Sequence, residues 1–403
     1  MSIRRRQEQQ QWVAFVGDFS ILRDFLSKKR YRSPWIVLKF LDVLFRGYGQ
    51  VVSANNPISG LLIAGAFAFF IPGMMLTAIC AGIIGLLLSM LIADEPRSQL
   101  ENGLTVLNPV LCGSLTYTFR PDILDSFDSR LLSHLFFALI FSVYLARALG
   151  SGKLPCLSAP CNVVQLILIF TLASRDSSVL SLAETTTNEA NGTSVPDLFF
   201  ENYTQQSISN NTDDHVKWGM VFRGMLTSSG QAYAADNVPV SSIIYLAILT
   251  YSPITAAFSF TGATVGSLTG LALGVPIEEV YSGSWGYNAL LTTGSLGGLF
   301  FVLNFQTTIA ATFAGMFATI LQSVLTPVFA KIGLPVLTVP FVLTTWLFLG
   351  IQGSEGSGFI RPETISFPEK QRHDYISSQR TATPLSESDD SEDVDIIVEA
   401  KPS

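Results

Sequence analysis

Charge is what this chain has least of. Only 14% of its 403 residues are Asp, Glu, Lys or Arg, where a soluble domain carries about 25%. Histidine and cysteine are scarce too, with His134, His215 and His373 scattered and Cys80, Cys112, Cys156 and Cys161 forming no C-x-x-C. That pattern excludes a zinc-type centre, and small buried thiols are the expected use of the cysteines. There is no phosphate-binding glycine loop and no nucleophile–base set, so the chain does not read as an enzyme, and no cofactor or metal is expected. The N-terminal stretch has no apolar h-region, which excludes a cleaved signal peptide. The net charge of −7 belongs largely to one place, the acidic run from Glu387 to Glu399, and gives no reason to expect nucleic acid.

Apolar sequence fills the space that charge leaves. Hydrophobic residues make up 48% of the chain, and the mean hydropathy is +0.41. The apolar residues come in repeated long runs, and about 20 such residues cross a bilayer core. The expected class is an all-α multispanning membrane protein.

The chain divides by composition. Residues 1–33 are polar, with Arg4, Arg5 and Arg6 at one end and Lys28, Lys29, Arg30 and Arg32 at the other. Basic flanks beside the first span place this segment in the cytoplasm. Trp12 to Leu26 reads either as a surface amphipathic stretch or as a loosely ordered tail. Residues 34–174 hold a first set of spans, opening with Trp35–Val52, whose Lys39, Asp42 and Arg46 call for a protein or interfacial environment. Gly103–Phe119, with its central Asn108-Pro109, reads as a re-entrant half-helix. Residues 175–217 are polar and carry sequons at Asn191, Asn202 and Asn210, the mark of an extracellular, glycosylatable loop. Residues 218–352 form a second set of spans, which includes Gly283–Leu296. Residues 353–403 are too poor in apolar side chains to fold alone and read as a disordered cytoplasmic acidic tail. Ser386–Asp395 within it is either an acidic-directed phosphorylation site or a solvating stretch.

Three landmarks recur in order. Gln50 opens QVVSANNPISG and Gln231 opens QAYAADNVPVS; Asn108 opens NPVLCGSL and Asn288 opens NALLTTGSL; Leu154 opens LPCLSAP and Leu334 opens LPVLTVP. The offsets are 181, 180 and 180 residues, so the chain is an internal duplication. With the N-terminus inside and the connecting loop outside, each half crosses an odd number of times. The halves then run in opposite directions, as two inverted repeats of about five transmembrane helices plus a re-entrant half-helix around a central pore.

At these motifs the chain resembles the urea transporters. The resembling residues are QVVSANNPISG (50–60), GQAYAADNVPVS (230–241), PIEEVYSGSWGYN (276–288) and the two LP motifs, and the resemblance covers Trp35 to Gly353. It implies a homotrimer in the plasma membrane, both termini cytoplasmic, each subunit with its own pore between two half-helices. Urea is planar and neutral. A pore must offer flat walls for its face and oxygen acceptors for its N–H groups as water is stripped away. The resemblance puts Gln50 and Gln231 beside that pore; a helix–helix hydrogen bond is the other use of either amide. It assigns Glu278 to capping the second half-helix.

The remaining pore positions implied by the resemblance depart from the family. Ser53 stands where an aromatic is usual. The aromatic before the half-helix Asn is Tyr287 in the second half but Leu107 in the first, with Leu111 one turn on. The family's pore threonines fall, by counting back from the LP motifs, on Phe137 and Ala318, with Thr319 adjacent to the latter. Each acceptor lost costs a desolvated urea about 1–3 kcal/mol, which slows urea, shifts selectivity or closes the route. The leading reading is channel-like passive transport of urea or a similar small neutral solute, since no chain of carboxylates in the spans suggests ion coupling. The alternatives are a divergent paralogue conducting another small solute (an amide, ammonia or water) and a non-conducting membrane scaffold.

Overall fold

The computed structural model describes residues 17–28, 34–91, 97–120, 129–150, 152, 154–171, 216–351 and 358–382. Every regular element among them is a helix. In the first half these are α1 (Ser20–Ser27), α2 (Ile36–Gln50), α3 (Pro57–Phe70), α4 (Pro72–Leu91), the short α5 (Arg97–Glu101), α6 (Leu104–Phe119), α7 (Ser129–Gly150) and α8 (Ala159–Thr171). The second half holds α9 (Trp218–Gln231), α10 (Val238–Tyr251), α11 (Pro253–Ala272), α12 (Ile277–Ser282), α13 (Tyr287–Leu296), α14 (Phe305–Ala330) and α15 (Val339–Leu349). A terminal α16 covers Pro368–Ala382.

Local chemistry sets the helix starts. Asn56 accepts hydrogen bonds from the Ile58 and Ser59 amides, with Pro57 at the first helical position of α3. Asn237 does the same for the Val240 amide at α10, with a proline again in the first turn. A side-chain acceptor satisfies an otherwise orphaned N–H, and proline has no N–H to orphan. Asn304 and Thr307 close a reciprocal capping box on α14.

Four helical segments among the described residues are long and apolar enough to cross a membrane: Pro72–Leu91, Leu132–Gly150, Pro253–Ala272 and Phe305–Ala330. This is a helical membrane protein. The first span is trimmed to Ile36–Gln50. The span expected over Gly283–Leu296 is corrected: only 10 residues of it, α13, are helical. At 1.5 Å per residue that is about 15 Å, half a bilayer core. Its backbone is crowded by α11, where a Cβ on Gly262 would meet the Ala289 carbonyl; small residues permit such close approach between helices.

The halves meet through α3 and α10. Ser59 near the start of α3 donates to the Ala247 carbonyl near the end of α10 at 2.6 Å. Phe67 near the end of α3 meets Tyr233, just before α10, edge-on with ring centroids 5.2 Å apart. The two helices therefore run antiparallel.

The charges of the first span are buried as a pair. Arg46 Nε donates to Asp42 Oδ2 at 3.0 Å, and the guanidinium also reaches the Asp18 carbonyl and Asn55. The tail is a second correction. Residues 358–382 are ordered: Phe367 is buried against Tyr251 and Phe359 lies edge-on to Phe301. Glu369 accepts from Ser252 Oγ and the Ile254 amide at the start of α11. Few apolar groups are needed when polar anchors meet orphaned helix ends, so low apolar content did not preclude docking here.

Candidate functional site

The two helix breaks have matching geometry. Gln50 closes α2 and Gln231 closes α9. After each, the chain turns through a non-glycine residue in the left-handed region, Ser53 at φ 62° and Ala234 at φ 59°. The Ser53 amide donates to the Gln50 carbonyl and the Ala234 amide to that of Gln231. A left-handed L-residue costs about 1 kcal/mol or more, and this conformation is kept in both halves.

Both glutamine side chains are half-buried and anchored alike. Gln50 Nε2 donates to the Asn102 carbonyl at 2.9 Å, and Gln231 Nε2 to the Ser282 carbonyl at 3.0 Å. Each accepting carbonyl precedes a glycine in the left-handed region, which glycine adopts without steric cost, Gly103 at φ 70° and Gly283 at φ 87°. Asn102 lies in the turn before α6, and Ser282 is the last residue of α12, so both anchors are carbonyls at the end of a short helix or just beyond it. With Nε2 committed, the oxygen of each amide has no hydrogen-bond partner among the described residues and is left as an acceptor.

The LP motifs fold around a second matched pair that the sequence showed only as landmarks. Asn108 Nδ2 donates to the Leu157 carbonyl at 3.1 Å, and its Oδ1 accepts from the Cys161 amide at 3.1 Å. Asn288 Nδ2 donates to the Leu337 carbonyl at 3.3 Å and to Gln322 Oε1 at 2.9 Å, while its Oδ1 accepts from the Phe341 amide at 3.2 Å. Leu157 and Leu337 are left-handed, at φ 50° and φ 52°. The recurrence of Asn and LP at one offset was the signal that could have paired them. Tyr287 adds a hydrogen bond from its hydroxyl to the Leu337 carbonyl; Leu107, its first-half counterpart, has none to offer.

The halves are tied together at these same elements. Ser158 and Thr338, the fifth residues of the two LP motifs, lie 2.7 Å apart, and Thr338 also donates to Asn162 Oδ1 at 2.8 Å. Ser53 Oγ lies 3.1 Å from Ser295 Oγ on α13, and Thr118 at the end of α6 donates to the Ala234 carbonyl at 3.0 Å. The break of each half is thus held by the short helix of the other.

Burial fixes the register of α7 against α14. Phe137 is 58% exposed, on a stripe with Phe141 and Tyr144, whereas Leu139 and Ser142 are fully buried. In α14, Ala318 and Thr319 are fully buried and Phe317 is 39% exposed. At the constant offset of 180, Phe137 corresponds to Phe317, Ala138 to Ala318 and Leu139 to Thr319. The placement of Phe137 in the interior is corrected: one residue of slip rotates a helical side chain by about 100°, and the buried counterpart of Thr319 is Leu139. Leu107 and Leu111 are both buried in α6.

Glu278 makes no capping hydrogen bond. It is exposed in the first turn of α12, where no side chain caps the helix. The bonded carboxylate is its neighbour Glu279, which accepts from Trp285 Nε1 at 2.8 Å. The sequons at Asn191, Asn202 and Asn210 lie outside the described residues.

Comparison with known proteins bears on the whole of this frame. The chain is 29% identical to Urea transporter 1 of Rattus norvegicus over 369 residues, which is 91% of this chain and 90% of the relative. It is 28% identical to Urea transporter 1 of Capra hircus over 374 residues, with the same coverage. A protein-family model described as Urea transporter matches residues 41–353, the span that holds both glutamine breaks, both Asn–LP clamps and every membrane helix but the first turn of α2. The chain belongs to the urea transporter family.

Proposed function

We propose that the chain is a passive, channel-like conduit for urea or a similarly small neutral solute, and not an enzyme. The observation that carries the reading is the matched pair Gln50 and Gln231. Each amide is pinned through its nitrogen to a turn carbonyl and keeps its oxygen available, which is the acceptor a dehydrating urea N–H needs. Thr319 supplies a further hydroxyl midway in the second half, with Leu107, Leu111, Ala318 and Leu139 as apolar lining and Ser53 and Tyr287 at its ends.

The architecture proposed is an inverted pair, residues 34–174 and 218–352. A residue that touches its own counterpart lies on the axis relating two copies, and Ser158 touches Thr338. Counterpart helices α3 and α10 pack antiparallel, which favours an axis perpendicular to them, in the membrane plane. The loop 175–217 is then extracellular, with Asn191, Asn202 and Asn210 as glycan acceptors. Residues 1–33 and 353–403 are cytoplasmic, and the chain is a plasma-membrane homotrimer.

Stopped-flow urea flux in proteoliposomes, with and without proton or sodium gradients, tests the reading. Gradient-independent flux is expected. Uptake that requires a gradient would sink the passive mechanism, and no flux at all would remove urea as the substrate. A second reading, a paralogue tuned to a less polar amide, is favoured by one observation: buried Leu139 stands where the second half has Thr319. Relative permeabilities of urea, acetamide, ammonia and water separate the two.

A further inference from the structure

The two terminal segments of the chain meet each other before they meet the bundle. Ser366 Oγ donates to Asp18 Oδ2 at 2.5 Å, and a Cβ on Gly17 would run into the Phe367 ring. Both partners are then fastened to the body. Gln371 Nε2 donates to the Leu299 carbonyl at 3.1 Å, and Glu369 holds the start of α11. On the other side Asn56 Nδ2 donates to the Gly17 carbonyl at 2.7 Å.

From this junction a continuous run of hydrogen bonds reaches Gln50. Arg46 Nη1 donates to the Asp18 carbonyl at 2.9 Å and to Asn55 Oδ1 at 3.1 Å. Asn55 Nδ2 donates to Asn102 Oδ1 at 3.2 Å, and the Asn102 carbonyl accepts from Gln50 Nε2 at 2.9 Å. The second half differs: at the same offset Arg46 becomes Thr227 and Asn55 becomes Asp236, and Asp236 is met instead by Arg223, which also donates to the Tyr281 carbonyl; among the described residues neither terminal segment bonds to that set. The junction is also incompletely satisfied. Asp18 Oδ1, Asp42 Oδ1, Arg46 Nη2 and two nitrogens of Arg23 are buried without a hydrogen-bond partner among the described residues.

We propose that residues 17–28 and 358–382 form a two-part clasp that closes on the first-half break alone and holds Gln50 in its conducting position, so that releasing either segment lowers conduction. The proposal rests on the conduit reading of Gln50. Ser366 is its fastening point, because a negative charge there would face the Asp18 carboxylate at hydrogen-bond distance.

The test uses the full chain in proteoliposomes, with two readouts: amide hydrogen exchange of residues 17–28 and urea flux. Ser366→Asp is expected to raise exchange of that segment roughly tenfold and to lower flux several-fold. Adding Asp18→Asn to Ser366→Asp removes the like-charge contact and is expected to restore both, which separates release from misfolding. Unchanged exchange in Ser366→Asp overturns the clasp. Raised exchange with unchanged flux overturns its coupling to Gln50. If the unaltered chain carries no urea, the transport reading fails and the exchange arm alone still decides whether the clasp exists.

Discussion

Ser158 and Thr338 stand 180 residues apart in sequence and 2.7 Å apart in space. Each belongs to an LP loop wrapped around an asparagine, so their contact joins two matched shapes within this one chain, Asn108 with Leu157 and Asn288 with Leu337. Both hydroxyl residues are buried, and Asn162 completes the contact. Replacing Thr338 by Val keeps the shape but strands the Ser158 hydroxyl and the Asn162 carbonyl. The expected loss is about 1–3 kcal/mol, seen as a lower melting temperature in detergent; an unchanged melting temperature would show that the two loops do not depend on each other.

The glutamines predict flux rather than stability. Gln231→Leu and Gln50→Leu each remove one acceptor, a loss of about 1.4 kcal/mol from the barrier region and hence about tenfold in urea permeability. Stopped-flow permeability per reconstituted protein checks this. Values within twofold of the parent chain would place both amides outside the solute's path.

Leu139 and Phe137, two residues apart on α7, make opposite predictions. Leu139→Thr gives the first half the hydroxyl that Thr319 gives the second, and urea permeability is expected to rise about tenfold relative to acetamide. Phe137→Ala trims an outward ring, and permeability is expected to stay within twofold. A flux change in Phe137→Ala with none in Leu139→Thr would reverse the register assigned to α7.

Arg46→Met leaves the Asp42 carboxylate buried without its ion partner, at a cost of about 3–5 kcal/mol. The double variant Arg46→Met with Asp42→Leu removes both charges and is expected to recover much of that loss. Thermal unfolding of the two variants side by side makes the comparison, and equal losses would mean that the pair is not what holds α2.

Much of this frame was legible in the sequence because it is written twice. Gln50 and Gln231, Asn108 and Asn288, and the two LP motifs declared a duplication through spacing alone. What repeated letters do not carry is rotation. Counting 17 residues back from one motif and 16 from the other put Phe137 opposite Ala318, and a single position is enough to turn a helical side chain from the interior to the surface. Hydropathy missed the docking of 358–382 for another reason. That segment is held by Glu369 on the start of α11, Gln371 on the Leu299 carbonyl and Ser366 on the Asp18 carboxylate, with Phe359 and Phe367 as its aromatic anchors, and a window average dilutes two rings in a polar stretch. Glu278 stands out over Glu279 only through the family resemblance, which marks a position and does not say which carboxylate Trp285 meets.

The antiparallel contact of α3 with α10 bears on direction. In the proposed conduit a solute arriving from either face climbs past a glutamine and descends past another. The halves are not equal, since Thr319 faces a solute with a hydroxyl and Leu139 does not, and the clasp grips only one side. Those inequalities make one barrier higher than the other. They do not make a valve: detailed balance requires that a single conduit without an energy source slow inward and outward crossings by the same factor, so uneven walls change how fast a gradient decays and never which way it runs.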